Sequence, residues 1–105
     1  MSNSTLEMSP AEIQPKVIQV LEEMTMDWDV ELEEGWGDNT RLIDDLAFES
    51  IDIVRFVVAI EQAFAVKGLP FEKLFMREGE YVDEMSVSEV TGFLHENLAL
   101  AQPAA

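Results

Sequence analysis

Apolar residues recur at helical spacing early in the chain and form one apolar face. The face consists of Ile13, Val17, Val20, Leu21 and Met24. Ser9, Pro10 and Glu12 precede it and have the form of a helix start with a capping box. The pattern predicts a helix that ends around Met26. Because Pro15 lacks a backbone donor, the helix either kinks there or begins its regular part near that residue.

A second helix is predicted from about Ser50 to Phe64, and it has two apolar faces. One face comprises Ile53, Phe56, Val57, Ile60 and Phe64, with Val54 at its edge. The opposite side carries a stripe of Ile51, Arg55, Val58 and Gln62. A surface helix needs only one buried face, so this stripe indicates either a helix buried all round or a small exposed strip for docking. The two polar members of the stripe favour the docking strip.

Two further helices complete the predicted fold. Phe71–Met76 has the pattern of a short third helix, after a break at residues 67–70. Ser86 and Glu89 then repeat the capping signal ahead of a last helix. That helix continues through Val87, Val90, Phe93, Leu94 and Leu98. Residues 78–84 are expected to form a loop, and no strand pattern competes. The fold class is therefore all-α, a four-helix bundle with a long loop between helices 1 and 2 and a short helix 3.

The long connection over residues 27–49 has too many apolar residues for a free linker. They are Trp28, Val30, Leu32, Trp36, Leu42, Ile43 and Leu46. A connection of this length is normally pinned to the core or functional. We expect one domain over residues 9–99, with flexible tails at residues 1–8 and 100–105.

The charge of the chain restricts its partners. The 105 residues include 22 acidic and 6 basic ones, which gives a net charge of -16. Such a field repels nucleic acid and anionic membranes and attracts proteins with Lys/Arg patches. The absence of cysteine excludes disulfides and Cys-ligated metals. No secretory signal or membrane-spanning stretch is visible, so we expect a soluble, cytoplasmic monomer.

Ser50 is the candidate functional residue, because it follows Glu49 at the start of the second helix with no histidine-based relay beside it in sequence. We expect a serine that another protein modifies, with no catalytic residue in the chain and no enzyme activity. The only histidine, His95, is expected at the surface. The acidic stretch from Asp27 to Asp38 resembles a calcium loop superficially. It lacks the required glycine and final glutamate, so no metal site is expected.

The segment around Ser50 resembles an acyl carrier protein. That family carries Asp-Ser-Leu at the start of a helix that continues to Leu-Glu-x-x-Phe. Here residues 49–56 read Glu-Ser-Ile-Asp-Ile-Val-Arg-Phe and residues 60–64 read Ile-Glu-Gln-Ala-Phe. The likeness covers roughly residues 9–99 and is strongest over residues 42–64. It implies a four-helix bundle of acyl-carrier type.

The resemblance also implies a function. A phosphopantetheinyl transferase would attach 4′-phosphopantetheine from coenzyme A to Ser50. The arm would carry acyl intermediates as thioesters to acyl-loading and acyl-processing enzymes of fatty-acid, lipid or polyketide-type synthesis. If Ser50 caps the second helix, the phosphodiester lies at a helix N-terminus, which favours an anion.

The docking surface of the family maps onto residues around the serine. The positions are Glu49, Ile51, Asp52, Arg55, Val58, Glu61 and Gln62. The three acids keep the charge of the family, and Ile51 and Val58 match its apolar contacts. Arg55 and Gln62 stand where carboxylates are usual, which indicates either a dedicated set of partners or neutral surface drift.

Two alternative functions and one structural question stay open. An aminoacyl or peptidyl carrier is less favoured, because the serine is preceded by Glu49 and not by a Gly-Gly pair. An acidic adaptor protein without a prosthetic group would use Ser50 only as a helix cap.

The segment from Phe64 to Val87 is longer than the family usually has. It is either a lid over an acyl chain or extra core with a solvent loop, and we favour the extra core.

Overall fold

Four helices make up most of the part of the chain that the computed structural model describes, which is residues 9–28, 32, 35–82, 84–98 and 102–103. The helices are α1 (Pro10–Met24), α2 (Ser50–Phe64), α3 (Glu72–Phe75) and α4 (Val87–Asn97). Their order and the mostly helical fold agree with the prediction. The Cα radius of gyration is 13.5 Å, as expected for a domain of about 100 residues. The predicted flexible tail at residues 1–8 lies outside the described residues.

The first helix starts as predicted and ends two residues earlier. The backbone N–H of Ser9 donates to the carboxylate of Glu12 at 2.9 Å, which is one half of the predicted capping box. The helix runs through Pro15 to Met24, so it does not begin at the proline. Pro15 is exposed, where the loss of one backbone hydrogen bond is least costly.

The core lies where α1 packs against α2 and α4. The predicted inner face of α2 is confirmed: Phe56 and Ile60 are 0% exposed and Phe64 is 1% exposed. Ile53 and Val57 of the same face are half-buried. The apolar residues of α4 are buried as well, and its predicted capping box is complete. Ser86 and Glu89 exchange side-chain to backbone hydrogen bonds of 3.0 and 3.2 Å.

A row of aromatic rings links the long loop to the rest of the core. The rings are, in spatial order, Trp28, Phe48, Phe56, Phe75, Phe71 and Phe93, with neighbouring centroids 5.2–6.5 Å apart. Most of these pairs are edge-on or tilted, as aromatic rings prefer. Leu42 and Leu46 of the loop are each 1% exposed. The loop is therefore pinned to the core, as predicted, although the predicted anchor Val30 lies outside the described residues.

In the described part of the chain, four two-residue strands correct the expectation that no strand is present. They are β1 (Val66–Lys67), β2 (Met76–Arg77), β3 (Glu80–Tyr81) and β4 (Gln102–Pro103). Such strands are too short to produce a period-two pattern in the sequence. The pairs β1–β4 and β2–β3 are both antiparallel.

Each strand pair forms in a segment that was predicted to be a loop or a flexible tail. Glu78 and Gly79 connect β2 to β3 with φ values of 53° and 85°, the positive-φ geometry of a tight hairpin turn. Residues 78–84 are thus partly a hairpin. Pairing of β4 with β1 means that the predicted flexible tail over residues 100–105 is held at Gln102–Pro103.

Candidate functional site

Ser50 is exposed and is the first residue of α2. Glu49 occupies the N-cap position, with extended backbone at φ -110° and ψ 176°. Its carbonyl accepts from the N–H groups of Asp52 and Ile53 at 2.9 and 3.1 Å. The interpretation of Ser50 as the helix cap is therefore wrong, because the backbone enters the helix one residue earlier. No described residue hydrogen-bonds the Ser50 hydroxyl, so this hydroxyl is not needed to hold the helix end.

The chain reaches Ser50 through a closed turn over residues 41–48. The N–H groups of Asp45 and Leu46 both donate to the carbonyl of Arg41, at 3.1 and 3.2 Å. The N–H of Phe48 donates back to Leu42 at 3.1 Å. Between them Ala47 has φ 59°, a left-handed conformation that reverses the chain. Because Phe48 is 5% exposed, Ser50 lies two residues beyond a residue fixed in the core.

The outer face of α2 has an exposed apolar strip. Ile51 is 63% exposed, Val54 60% and Val58 49%. Arg55 and Gln62 lie on the same side and are exposed too. We call Ile51, Val54, Arg55, Val58 and Gln62 the α2 strip. The predicted second stripe of α2 is thus an exposed surface and not a second buried face, and Val54, predicted at the edge of the inner face, belongs to it.

The three acids predicted for docking differ in how they are held. Glu49 is exposed. Asp52 is only 9% exposed, and its carboxylate accepts the backbone N–H of Glu49 at 2.8 Å. Glu61 is half-buried and accepts the N–H of Gly68 at 3.1 Å. Asp52 and Glu61 therefore each accept a backbone N–H at one end of α2, and Glu49 is the exposed acid among the three.

The other candidates of the sequence lie apart from Ser50. His95 is exposed on α4, as predicted. Within the described ranges no three His, Cys, Asp or Glu residues are grouped to hold a metal ion, and part of the calcium-like stretch lies outside those ranges.

An open pocket of about 830 Å³ is lined by loop residues between Leu32 and Asp45 and by Ser86, without Ser50. In the described helices, none is both long and apolar enough to cross a membrane.

The segment between α2 and α4 supplies core residues. Phe71 and Phe75 are 6% and 4% exposed, and both rings belong to the aromatic row. Leu74 and Met76 are half-buried. This burial favours the interpretation as extra core over the lid, although the side chain of Tyr81, the remaining lid candidate, lies outside the described residues.

Comparisons with protein-family models, curated proteins and solved structures find no match to this chain. The likeness to acyl carrier proteins thus rests on the residues around Ser50 and on the order of the helices.

Proposed function

We propose that this protein is an acyl carrier that bears 4′-phosphopantetheine on Ser50 and delivers acyl thioesters to partner enzymes. The observation that carries the proposal is an exposed serine, free of any structural hydrogen bond within the described residues, at the first position of a 15-residue helix with an apolar outer strip. A protein that another enzyme modifies and then recognises needs both features on one surface.

The position of Ser50 fits a covalently attached phosphodiester. The hydroxyl reaches solvent, so a transferase can approach it without unfolding the helix. The first amides of a helix have no acceptor inside the helix, and the helix dipole favours an anion there. Glu49 opposes this effect with its own negative charge, and the arm is therefore expected to extend away from the helix end. The thiol that the bound arm supplies would be the only thiol of the protein, since the chain has no cysteine.

The α2 strip fits the second half of the function, which is recognition. Exposed Ile51 and Val54 lie within one turn of Ser50, and Val58 extends the strip one further turn. Burial of such side chains against a partner stabilises a complex by about 1 kcal/mol or more for each residue. Glu49 beside them would meet a basic group of the partner and raise the association rate.

Intact-mass spectrometry tests the attachment. The purified protein is incubated with coenzyme A and a broad-specificity phosphopantetheinyl transferase. We expect the mass to rise by one phosphopantetheine in the wild type and in Ser88→Ala, and to stay unchanged in Ser50→Ala. Ser88 is the matched control, because it is an exposed serine in the first turn of α4.

An unmodified wild-type protein would reject the carrier function and favour the acidic adaptor. Modification that persists in Ser50→Ala would place the arm on another residue and would also reject the assignment of Ser50.

A further inference from the structure

The carboxylate of Glu84 accepts hydrogen bonds from three backbone N–H groups. One of its oxygens, Oε1, accepts the N–H of Asp44 at 2.8 Å. The other, Oε2, accepts the N–H groups of Ile43 and Met85 at 3.0 and 2.8 Å. The side chain is half-buried. Hydrogen bonds to an ionised acceptor are about twice as strong as neutral ones, so this carboxylate is a firm tether between two segments about 40 residues apart in the chain.

The tethered segment is the turn that leads to Ser50. Ile43 and Asp44 lie inside the 41–48 turn, and their N–H groups have Glu84 as their acceptor. Two backbone hydrogen bonds join the same two segments just after Glu84. Leu42 donates to Met85 at 2.9 Å, and Val87 donates to Thr40 at 2.9 Å. Backbone and side-chain hydrogen bonds therefore fix the turn to the start of α4.

The path from Glu84 to Ser50 is short and rigid. The turn closes on Phe48, whose ring lies 6.2 Å from the ring of Phe56 in α2. The next residue, Glu49, is held by the carboxylate of Asp52. Each step between the tether and the serine is thus a hydrogen bond or a buried ring, and a shift of the turn moves the residue that precedes Ser50.

We propose that Glu84 is a positioning residue for the modification of Ser50, because it fixes the turn that presents this serine to the transferase. The inference rests on the proposed carrier function. Glu84 does not contact Ser50 and takes no part in the chemistry. Loss of the tether leaves the α2 strip intact, so docking of the transferase persists while fewer bound complexes have the hydroxyl in reach of the phosphoryl group.

The kinetics of the transferase reaction test this proposal. Glu84→Ala removes both acceptor oxygens and so leaves all three N–H groups without this acceptor, whereas Glu84→Gln keeps the size of the side chain but only one acceptor oxygen. We expect kcat/KM to fall by about tenfold in Glu84→Ala and by less in Glu84→Gln, with the loss mainly in kcat. The matched control is Glu80→Gln, which removes the same charge from an exposed hairpin residue and should leave the rate unchanged.

Amide hydrogen exchange, measured by NMR, is the second readout and does not depend on the transferase. The amides of Ile43 and Asp44 should exchange faster in both Glu84 variants, while amides in the middle of α2 keep their protection. The kcat of the transferase reaction is measured well below the melting temperature of each variant. Under these conditions a purely stabilising role of Glu84 would leave kcat unchanged.

Two results would overturn the proposal. The first is a kcat for both Glu84 variants equal to that of the wild type, and the second is unchanged exchange at Ile43 and Asp44. Failure of the wild type to be modified is a different result, since it rejects the carrier function and this inference together.

Discussion

The helices α1 and α2 are equally long, at 15 residues each, yet their outer faces differ. Both have an inner apolar face and an acid three residues after the cap that accepts a backbone N–H of the cap residue. The exposed residues of α1 are Pro10, Ala11, Glu12, Pro15, Gln19, Glu22 and Glu23. Those of α2 include Ile51, Val54 and Val58.

The difference separates what the fold requires from what a partner requires. The core explains the inner face of both helices, because the buried apolar residues of both belong to one hydrophobic cluster. It does not explain three large apolar side chains in water on α2. Such exposed apolar surface is typical of an interaction site when it is clustered, and here it is clustered on the helix that begins with Ser50.

The largest expected effect comes from the inner face of α2. Phe56→Ala removes a fully buried ring that contacts Phe48 and Phe75, and should lower the free energy of unfolding by about 3–5 kcal/mol. Val54→Ala, two residues away on the outer face, should change it by less than about 0.5 kcal/mol. Urea unfolding followed by circular dichroism measures both. Equal losses in the two variants would contradict the division of α2 into two faces.

A smaller effect is expected at the outer face, and it concerns recognition. The double variant Val54→Ser/Val58→Ser should keep the unfolding midpoint within a few degrees and lower kcat/KM for modification by the transferase by roughly tenfold. The control is Gln19→Ser, on the outer face of α1, which should change neither value. If the strip variant is modified as fast as the wild type, the transferase does not use the strip.

The smallest effect is expected from the two polar residues of the α2 strip. Arg55→Glu/Gln62→Glu places carboxylates at the positions where the acyl carrier proteins that this segment resembles usually have them. With a transferase that has a basic docking patch, kcat/KM should rise severalfold at low salt, and the gain should shrink as ionic strength rises. A slower reaction at low salt would show that Arg55 itself is recognised, as expected for dedicated partners.

The sequence predicted the local features of α2 well. Its bounds, its inner face and the opposite stripe of Ile51, Arg55, Val58 and Gln62 follow from the spacing of residues between Ser50 and Phe64, and a helix needs no distant information to show them. Val54 was assigned to the edge of the inner face, although it is exposed. The capping box at Ser86 and Glu89 was found for the same reason, since its two members are three residues apart.

The features that were missed depend on contacts between residues far apart in the chain or on local backbone conformation. Glu84 reads as an ordinary loop acid, because its acceptor role appears only when residues 43 and 44 are brought to it. Phe48 was not recognised as an anchor, since its burial depends on the left-handed turn at Ala47. Glu49, and not Ser50, is the cap residue of α2, because the backbone enters the helix one residue earlier than expected. The Ser50 hydroxyl is therefore not used as a cap.

The most direct test of the carrier function is the mass of the protein isolated from its natural host. We predict that the peptide containing Ser50 carries phosphopantetheine, and that part of the population carries an acyl group on the thiol of that arm. Recovery of the unmodified polypeptide alone would contradict the account.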